Sequence, residues 1–283
     1  MHRCRHRTYK DIATNRGCGS VMNKGRYYMR ILILCFSGTG NTTYIAKILQ
    51  REFIALGSPS EILPMEELTL DRQSSDFSQY DLIGIGFPVH AMDAPQIVYN
   101  LLSILPQGKQ NYFLFKTAGS SMLHGGSTQK IREALAIKGW HLRHEQLYVM
   151  PPNMFYTACP GNVAKRCAKA KDLAKQSVQD ILRGIKKRTP DTSLPGLCYG
   201  FARMEKHGAR QSSRRWFASD KCTLCGLCAA QCPSENIRIE EGRLVFGDSC
   251  LLCLRCSWIC PHGALSHKIM GPFLLKRKFT LPD

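Results

Sequence analysis

From residue 29 onward, short apolar runs alternate with segments whose apolar positions recur every three or four residues. That alternation predicts strands of a parallel sheet wound with helices. Residues 29–36 read as a strand buried on both faces. Within 42–56, Ile45, Ile48, Leu49, Phe53 and Leu56 form one helical stripe, and Gly57 suits the position that closes the helix. A short strand near 61–63 and a stronger one at 81–87 come next, then a helix that opens near Pro95 and runs to about 105. Residues 112–116 and 146–150 read as the fourth and fifth strands, with a helix at 128–137 between them. A long helix is expected over 162–187, where Val163, Cys167, Ala170, Ala174, Val178, Ile181 and Ile185 step by three and four and the opposite face carries Lys and Arg.

The flanking segments lack these periods. Residues 1–28 are polar and basic and read as a disordered tail, with Met22 and Met29 both usable as starts; His2, Cys4, His6 and Cys18 within or beside it match no metal-site spacing. Residues 29–188 form the first expected domain, 189–216 a basic linker with Pro190 and Pro195, 217–270 a second domain and 271–283 a C-terminal tail. A length of 283 residues suits two domains, and 44% apolar residues excludes wholesale disorder. The longest apolar runs, such as 31–36, cover about a third of a membrane span, so no spanning helix is expected. The N-terminus lacks the apolar block of an export signal, which makes the cytoplasm the expected compartment.

Cysteine changes the picture. Eight of the 14 cysteines fall between 222 and 260, a density that points to metal or redox chemistry in a chain without an export signal. Cys222, Cys225, Cys228 and Cys232 precede Pro233, and Cys250, Cys253, Cys256 and Cys260 precede Pro261, so one C-x2-C-x2-C-x3-C-P pattern occurs twice, offset by 28 residues as from Cys222 to Cys250. Ile237 and Leu265 extend the repeat, which implies two copies of one unit about a pseudo-twofold axis. Residues 237–239 and 243–246 flank 240–242 like a hairpin. Three thiolates two residues apart wrap one set of irons, and the fourth, beside proline, points away to close the other set. This assigns one [4Fe-4S] cluster to Cys222, Cys225, Cys228 and Cys260, and the other to Cys250, Cys253, Cys256 and Cys232. A zinc ribbon would want four ligands in two pairs and has no use for eight thiols doubled in this way. The remaining cysteines suggest no chemistry: Cys35 and Cys167 sit on core positions, and Cys159 and Cys198 lack partners in sequence.

A second site is expected between the first strand and the first helix, at Ser37, Gly38, Thr39, Gly40, Asn41 and Thr42. Small residues let the backbone wrap an anion, the hydroxyls can donate, and the helix N-terminus adds free N–H groups. No G-x-x-x-x-G-K-[ST] is present, which disfavours a nucleoside triphosphate, and Thr43 stands where a dinucleotide fingerprint needs its third glycine.

The loop and the five-strand reading resemble the flavodoxin family, and 221–267 resembles bacterial two-cluster ferredoxins. The whole resembles a family of flavodoxin–ferredoxin fusions. The resemblance implies an α/β flavodoxin-like doubly wound parallel five-stranded sheet of order 2-1-3-4-5, FMN with its phosphate on the 37–42 loop, and a small α+β two-cluster ferredoxin domain. It places Pro88, Val89, His90, Ala91 and Met92, with Thr117, Ala118 and Gly119, against the flavin ring. His90 reads equally well as a solvated loop histidine, and His124 better as one without a role. The usual stacking aromatic is missing from these loops, leaving Phe155 or Tyr156 as substitutes. The implied function is electron transfer between two [4Fe-4S] clusters and FMN and on to a redox partner; the alternative is an FMN-dependent reductase of a small molecule fed by its own ferredoxin half. No acid, base or nucleophile is assigned. The 39 Lys and Arg against 21 Asp and Glu give +18, about +12 once two clusters and FMN are counted, so an acidic redox protein is the expected partner. The basic residues, among them Lys165, Arg166, Lys186, Lys187, Arg188, Arg214 and Arg215, form no known nucleic-acid module, and nonspecific binding at most is expected there.

Overall fold

The computed structural model describes residues 28–71, 76–122, 124–155, 158–191, 213–275 and 278–282. The expected tail 1–28 apart from Tyr28, with His2, Cys4, His6, Cys18 and Met22, lies outside the described residues, as do 192–212 of the linker, Tyr156 and Cys198.

Five parallel strands, β1 (Ile31–Cys35), β2 (Ser60–Pro64), β3 (Leu82–Pro88), β4 (Asn111–Ala118) and β5 (His141–Val149), lie in the order β2-β1-β3-β4-β5. This is the flavodoxin-like doubly wound sheet. The helices are α1 (Asn41–Ala55), α2 (Met65–Asp71), α3 (Gln96–Ile104), α4 (Gln129–Ile137) and α5 (Pro160–Leu182). Because successive side chains of a strand point to opposite faces, β1 feeds two cores. Leu32, Leu34 and Phe36 pack with Val98, Leu101, Ile131 and Leu135 under α3 and α4, while Ile31, Ile33 and Cys35 pack with Ile45, Leu49, Val163 and Val178 under α1 and α5. Cys35 and Cys167 are buried in this second layer, and burial pushes the Cys35 thiol up to about 12.

Three elements differ from the sequence pattern. The β5 strand begins at His141, five residues early, because its first half is an edge with His141 and Arg143 exposed and so carries no apolar alternation. The α2 helix, seven residues long with Met65 and Leu68 turned inward, is too short to show a helical period. The α5 helix stops at Leu182, not 187, since the chain then turns to run beside β5, where the Glu145 N–H donates to the Lys187 carbonyl at 2.9 Å.

A charged network lies inside the first domain. Lys116 of β4 is fully buried, 3.2 Å from Ser127 Oγ and 3.6 Å from Glu145 Oε1, and Arg132 of α4 pairs with Glu145 and Asp191. Burial pulls the Lys116 pKa down, and the Glu145 carboxylate opposes it. Removing Glu145 would strand the buried Lys116 ammonium.

In the second domain β6 (Trp216–Ala218) pairs antiparallel with β9 (Leu265–His267), and β7 (Ile237–Glu240) with β8 (Arg243–Phe246), the expected hairpin. Short helices α6 (Leu227–Ala230) and α7 (Arg255–Ile259) begin inside each cysteine motif. Cys228, Ile237 and Leu265 form one small buried cluster, with Ile237 and Leu265 in equivalent places in the repeat, and Trp216, Leu254 and Ala264 are buried beside it. The segment read as a C-terminal tail returns across the first domain: the Phe155 N–H donates to the Phe273 carbonyl at 2.9 Å, and Phe279 and Leu281 pack against the α1–α5 layer. Among the described residues no helix is long and apolar enough to cross a membrane.

His144 of β5 is buried, and burial pushes its pKa below the ordinary 6.5 against a smaller opposing effect of the Ile185 backbone. The unfolded chain therefore binds a proton near pH 6.5 that the folded chain refuses, and stability falls as pH drops through that value until the lower folded pKa is reached. Denaturant midpoints are expected to fall between about pH 7.5 and about pH 5.5, and less steeply in His144→Phe.

Candidate functional site

The first strand delivers the chain to a turn at the C-terminal edge of the sheet. Gly40, at φ 99, adopts a left-handed conformation that residues with a Cβ rarely accept, and α1 starts at the next residue. The turn is braced from within by Gly40 N–H donating to Ser37 Oγ (3.1 Å), and from outside by Asn153 Nδ2 donating to Thr39 Oγ1 (2.7 Å) and Asn41 Nδ2 to the Pro151 carbonyl (2.9 Å). Thr42 and Thr117 share a buried hydroxyl hydrogen bond of 2.8 Å that ties the start of α1 to the end of β4. The first N–H groups of α1 have no helical acceptor and face this turn.

Ser37, Gly38, Thr39, Asn41 and Thr42 line a cavity of about 470 Å³ together with Pro88, Val89, His90, Ala91, Thr117, Ala118 and Gly119. Gly40 caps the helix without lining the cavity. Met92 also stays outside. His90 and Asp93 exchange backbone hydrogen bonds across a two-residue turn in which Ala91 (φ 41) and Met92 (φ 63) are both left-handed, and this turns Met92 onto Gly125. Phe155 reaches the cavity rim, 71% exposed and at 5.5 Å from the Phe273 ring. His124 is buried away from the cavity, and burial with nearby Lys116 holds its pKa down.

The cysteines gather in two rings. Cys222, Cys225, Cys228 and Cys260 surround one small cavity, and Cys232, Cys250, Cys253 and Cys256 surround another. Among the described residues no three His, Cys, Asp or Glu side chains converge where a single metal ion could sit. Backbone N–H groups point at the sulfurs at 3.3 Å: Asn236 to Cys232, Leu252 to Cys250 and Ala264 to Cys260. Such donors favour thiolate. The rings differ in depth. Cys225 is exposed, whereas burial pushes the Cys253 thiol up to about 12 and Cys256 well above an ordinary thiol. The buried indole N–H of Trp216 has no hydrogen-bond partner among the described residues, yet it lies near Cys250 and holds that thiol down against the larger effect of burial. Donors that lack oxygen acceptors and aim at a four-sulfur space fit a sulfur-bridged cluster.

Pro151, Pro152, Asn153 and Met154, and Leu252, Cys253 and Leu254, also line the large cavity, and the sequence reading missed them. The first group follows β5, where the rule that open α/β sheets bind ligands beyond their strand ends could have found it. The second comes from the other domain and has no local signal. A Cβ on Gly38 would meet the carbonyl of Cys253, so the deeper ring and the glycine loop touch backbone to backbone.

Residues 216–238 match the Fer4 family, a 4Fe-4S binding domain, and residues 256–282 match a second 4Fe-4S binding domain family. No curated protein matches the chain. Similar solved structures include a flavodoxin from the domain Archaea (16% identity over 54% of this chain and 99% of that one, TM-score 0.37), the flavodoxin of Streptococcus pneumonia TIGR4 (14%, 55% and 96%, 0.39) and two-electron reduced Megasphaera elsdenii flavodoxin (19%, 53% and 98%, 0.36). The fold assignment itself stands on the strand order. The chain joins a flavodoxin-like sheet to a C-terminal region that matches 4Fe-4S binding domains.

Gly38→Ala is expected to lower stability by about 1–3 kcal/mol through overpacking against Cys253, read from the denaturation midpoint. Gly161→Ala, with open space around the added carbon, is expected not to lower it.

Proposed function

We propose that this chain is an electron-transfer protein in which the two cysteine rings hold two [4Fe-4S] clusters and the large cavity holds FMN. The observation that carries the reading is the contact of Gly38 with Cys253, because it places one wall of a phosphate-type loop against a residue of the deeper cysteine ring. When bound, the clusters would carry single electrons and FMN one or two, which couples one-electron to two-electron chemistry.

The chain's own residues supply binding and order. A volume of about 470 Å³ is in the range of cofactor pockets, and the loop offers hydroxyls and helix N–H groups to a phosphate at one end. Pro88, Val89, Ala91, Ala118 and Gly119 provide a small, mainly apolar wall for a ring, with His90 at its edge. Cys222, Cys225, Cys228 and Cys260 would hold the outer cluster, and Cys232, Cys250, Cys253 and Cys256 the inner one beside the flavin. The exposed positions of Cys225, Leu224 and Leu227 support partner access at the outer ring. The excess of basic residues supports an acidic partner.

Anaerobic reconstitution with iron and sulfide is expected to give about eight irons and one extractable FMN per chain, with three redox centres resolved in a stepwise potentiometric titration. Zinc in place of iron, or no chromophore bleached by dithionite, would sink the reading. Reduction by an acidic redox protein is expected to slow steeply as salt rises. Reoxidation that saturates in one small molecule, with redox proteins inert, would instead establish a reductase.

A further inference from the structure

We infer that Arg255 is a positioning residue that orients the phosphate loop from the cysteine domain and places a shielded positive charge beside the inner ring, so that FMN binding and the inner cluster depend on one side chain. The inference rests on the cofactor reading above.

Arg255 opens α7 between Leu254 and Cys256 and points into the first domain. Its Nη2 and Nε donate to the Ser37 carbonyl at 2.8 and 3.3 Å, Nη2 pairs with Glu66 Oε1 at 2.6 Å, and the guanidinium lies 5.6 Å from the Phe36 ring centre. Nη1 reaches the carbonyl of Gln231, the residue before Cys232. The side chain is 14% exposed and that of Glu66 15%. Three segments distant in sequence therefore meet on one cation.

A general stabilising role explains this poorly. Desolvated ion pairs add little net stability, and the second oxygen of Glu66 is buried with no partner among the described residues. The choice of acceptor is more informative. In a planar trans peptide the C=O and the following N–H point in opposite directions. Holding the Ser37 carbonyl outward thus turns the Gly38 N–H inward, to the side where the loop would meet an anion, although Arg255 does not itself line the cavity. The same cation stands two residues after Cys253 and directly before Cys256, and a positive charge beside that ring would favour the reduced state of a cluster held there. The outer ring has a cation nearby too, Lys278, whose Nζ donates to the Cys260 carbonyl at 3.1 Å, but Lys278 is solvent-exposed and screened.

The test compares Arg255→Gln, Arg255→Lys and Lys278→Gln in the full, reconstituted chain, with iron and flavin content measured first. FMN dissociation constants come from fluorescence titration of the flavin-stripped protein, and cluster potentials from titration followed by electron paramagnetic resonance. Arg255→Gln is expected to weaken FMN binding about tenfold, the loss of one charge-assisted hydrogen bond, and to make one cluster potential more negative while the other stays. Arg255→Lys keeps the charge and loses the fork, so the potential is expected to be largely retained and FMN binding still weakened. Lys278→Gln is expected to change neither. An Arg255→Gln protein with full iron and flavin, unchanged FMN affinity and unchanged potentials would overturn the inference; a loss of both that Arg255→Lys restores equally would show charge alone at work and overturn the orienting role. If the wild-type chain takes up no iron or flavin, the cofactor reading fails first.

Discussion

The main-chain approach of Cys253 to Gly38 governs how the halves of this protein relate. A carbonyl can lie that close to another backbone only where no side chain intervenes, so a single hydrogen atom at position 38 permits the cysteine loop to form part of the cavity wall. Around that point the other interdomain contacts accumulate. Leu251 and Cys253 pack onto the core under α3 and α4, Arg255 reaches Ser37 and Glu66, Phe273 meets Phe155, and Phe279 and Leu281 lean on the α1–α5 layer.

The two domains are held together by different physics. The sheet domain has two apolar layers and a charged network sealed inside, sufficient for a stable fold of its size. Among the described residues the cysteine domain buries six apolar side chains, Trp216, Cys228, Ile237, Leu254, Ala264 and Leu265, and forms two short antiparallel pairs. So small a core supplies little of the free energy of folding, and metal ligation together with docking onto the larger domain must supply the rest.

What the sequence disclosed follows from how local each signal is. Buried parallel strands and long amphipathic helices repeat within a few residues, which is why the elements of the sheet domain were legible while their order rested on the flavodoxin resemblance, and the doubled cysteine spacing sorted the two sets of four that the structure gathers around two cavities. The glycine loop was legible for the same reason. The seven-residue α2 is shorter than the period that would reveal it, and the polar start of β5 is an edge with only one covered side. Met92 lies off the cavity lining because of left-handed geometry at two non-glycine residues, which leaves no mark in composition. Leu252 and Leu254 at the cavity were invisible, since their role exists only once two domains meet.

The unequal depth of the cysteine rings has a chemical corollary. Oxidants and alkylating reagents arrive through water and attack thiolates, so with both rings empty of metal the exposed Cys225 meets them before the less exposed Cys253, where burial disfavours the thiolate. Damage therefore proceeds from the surface inward. The outer ring would lose its ligand at Cys225 before the ring next to the glycine loop reacts.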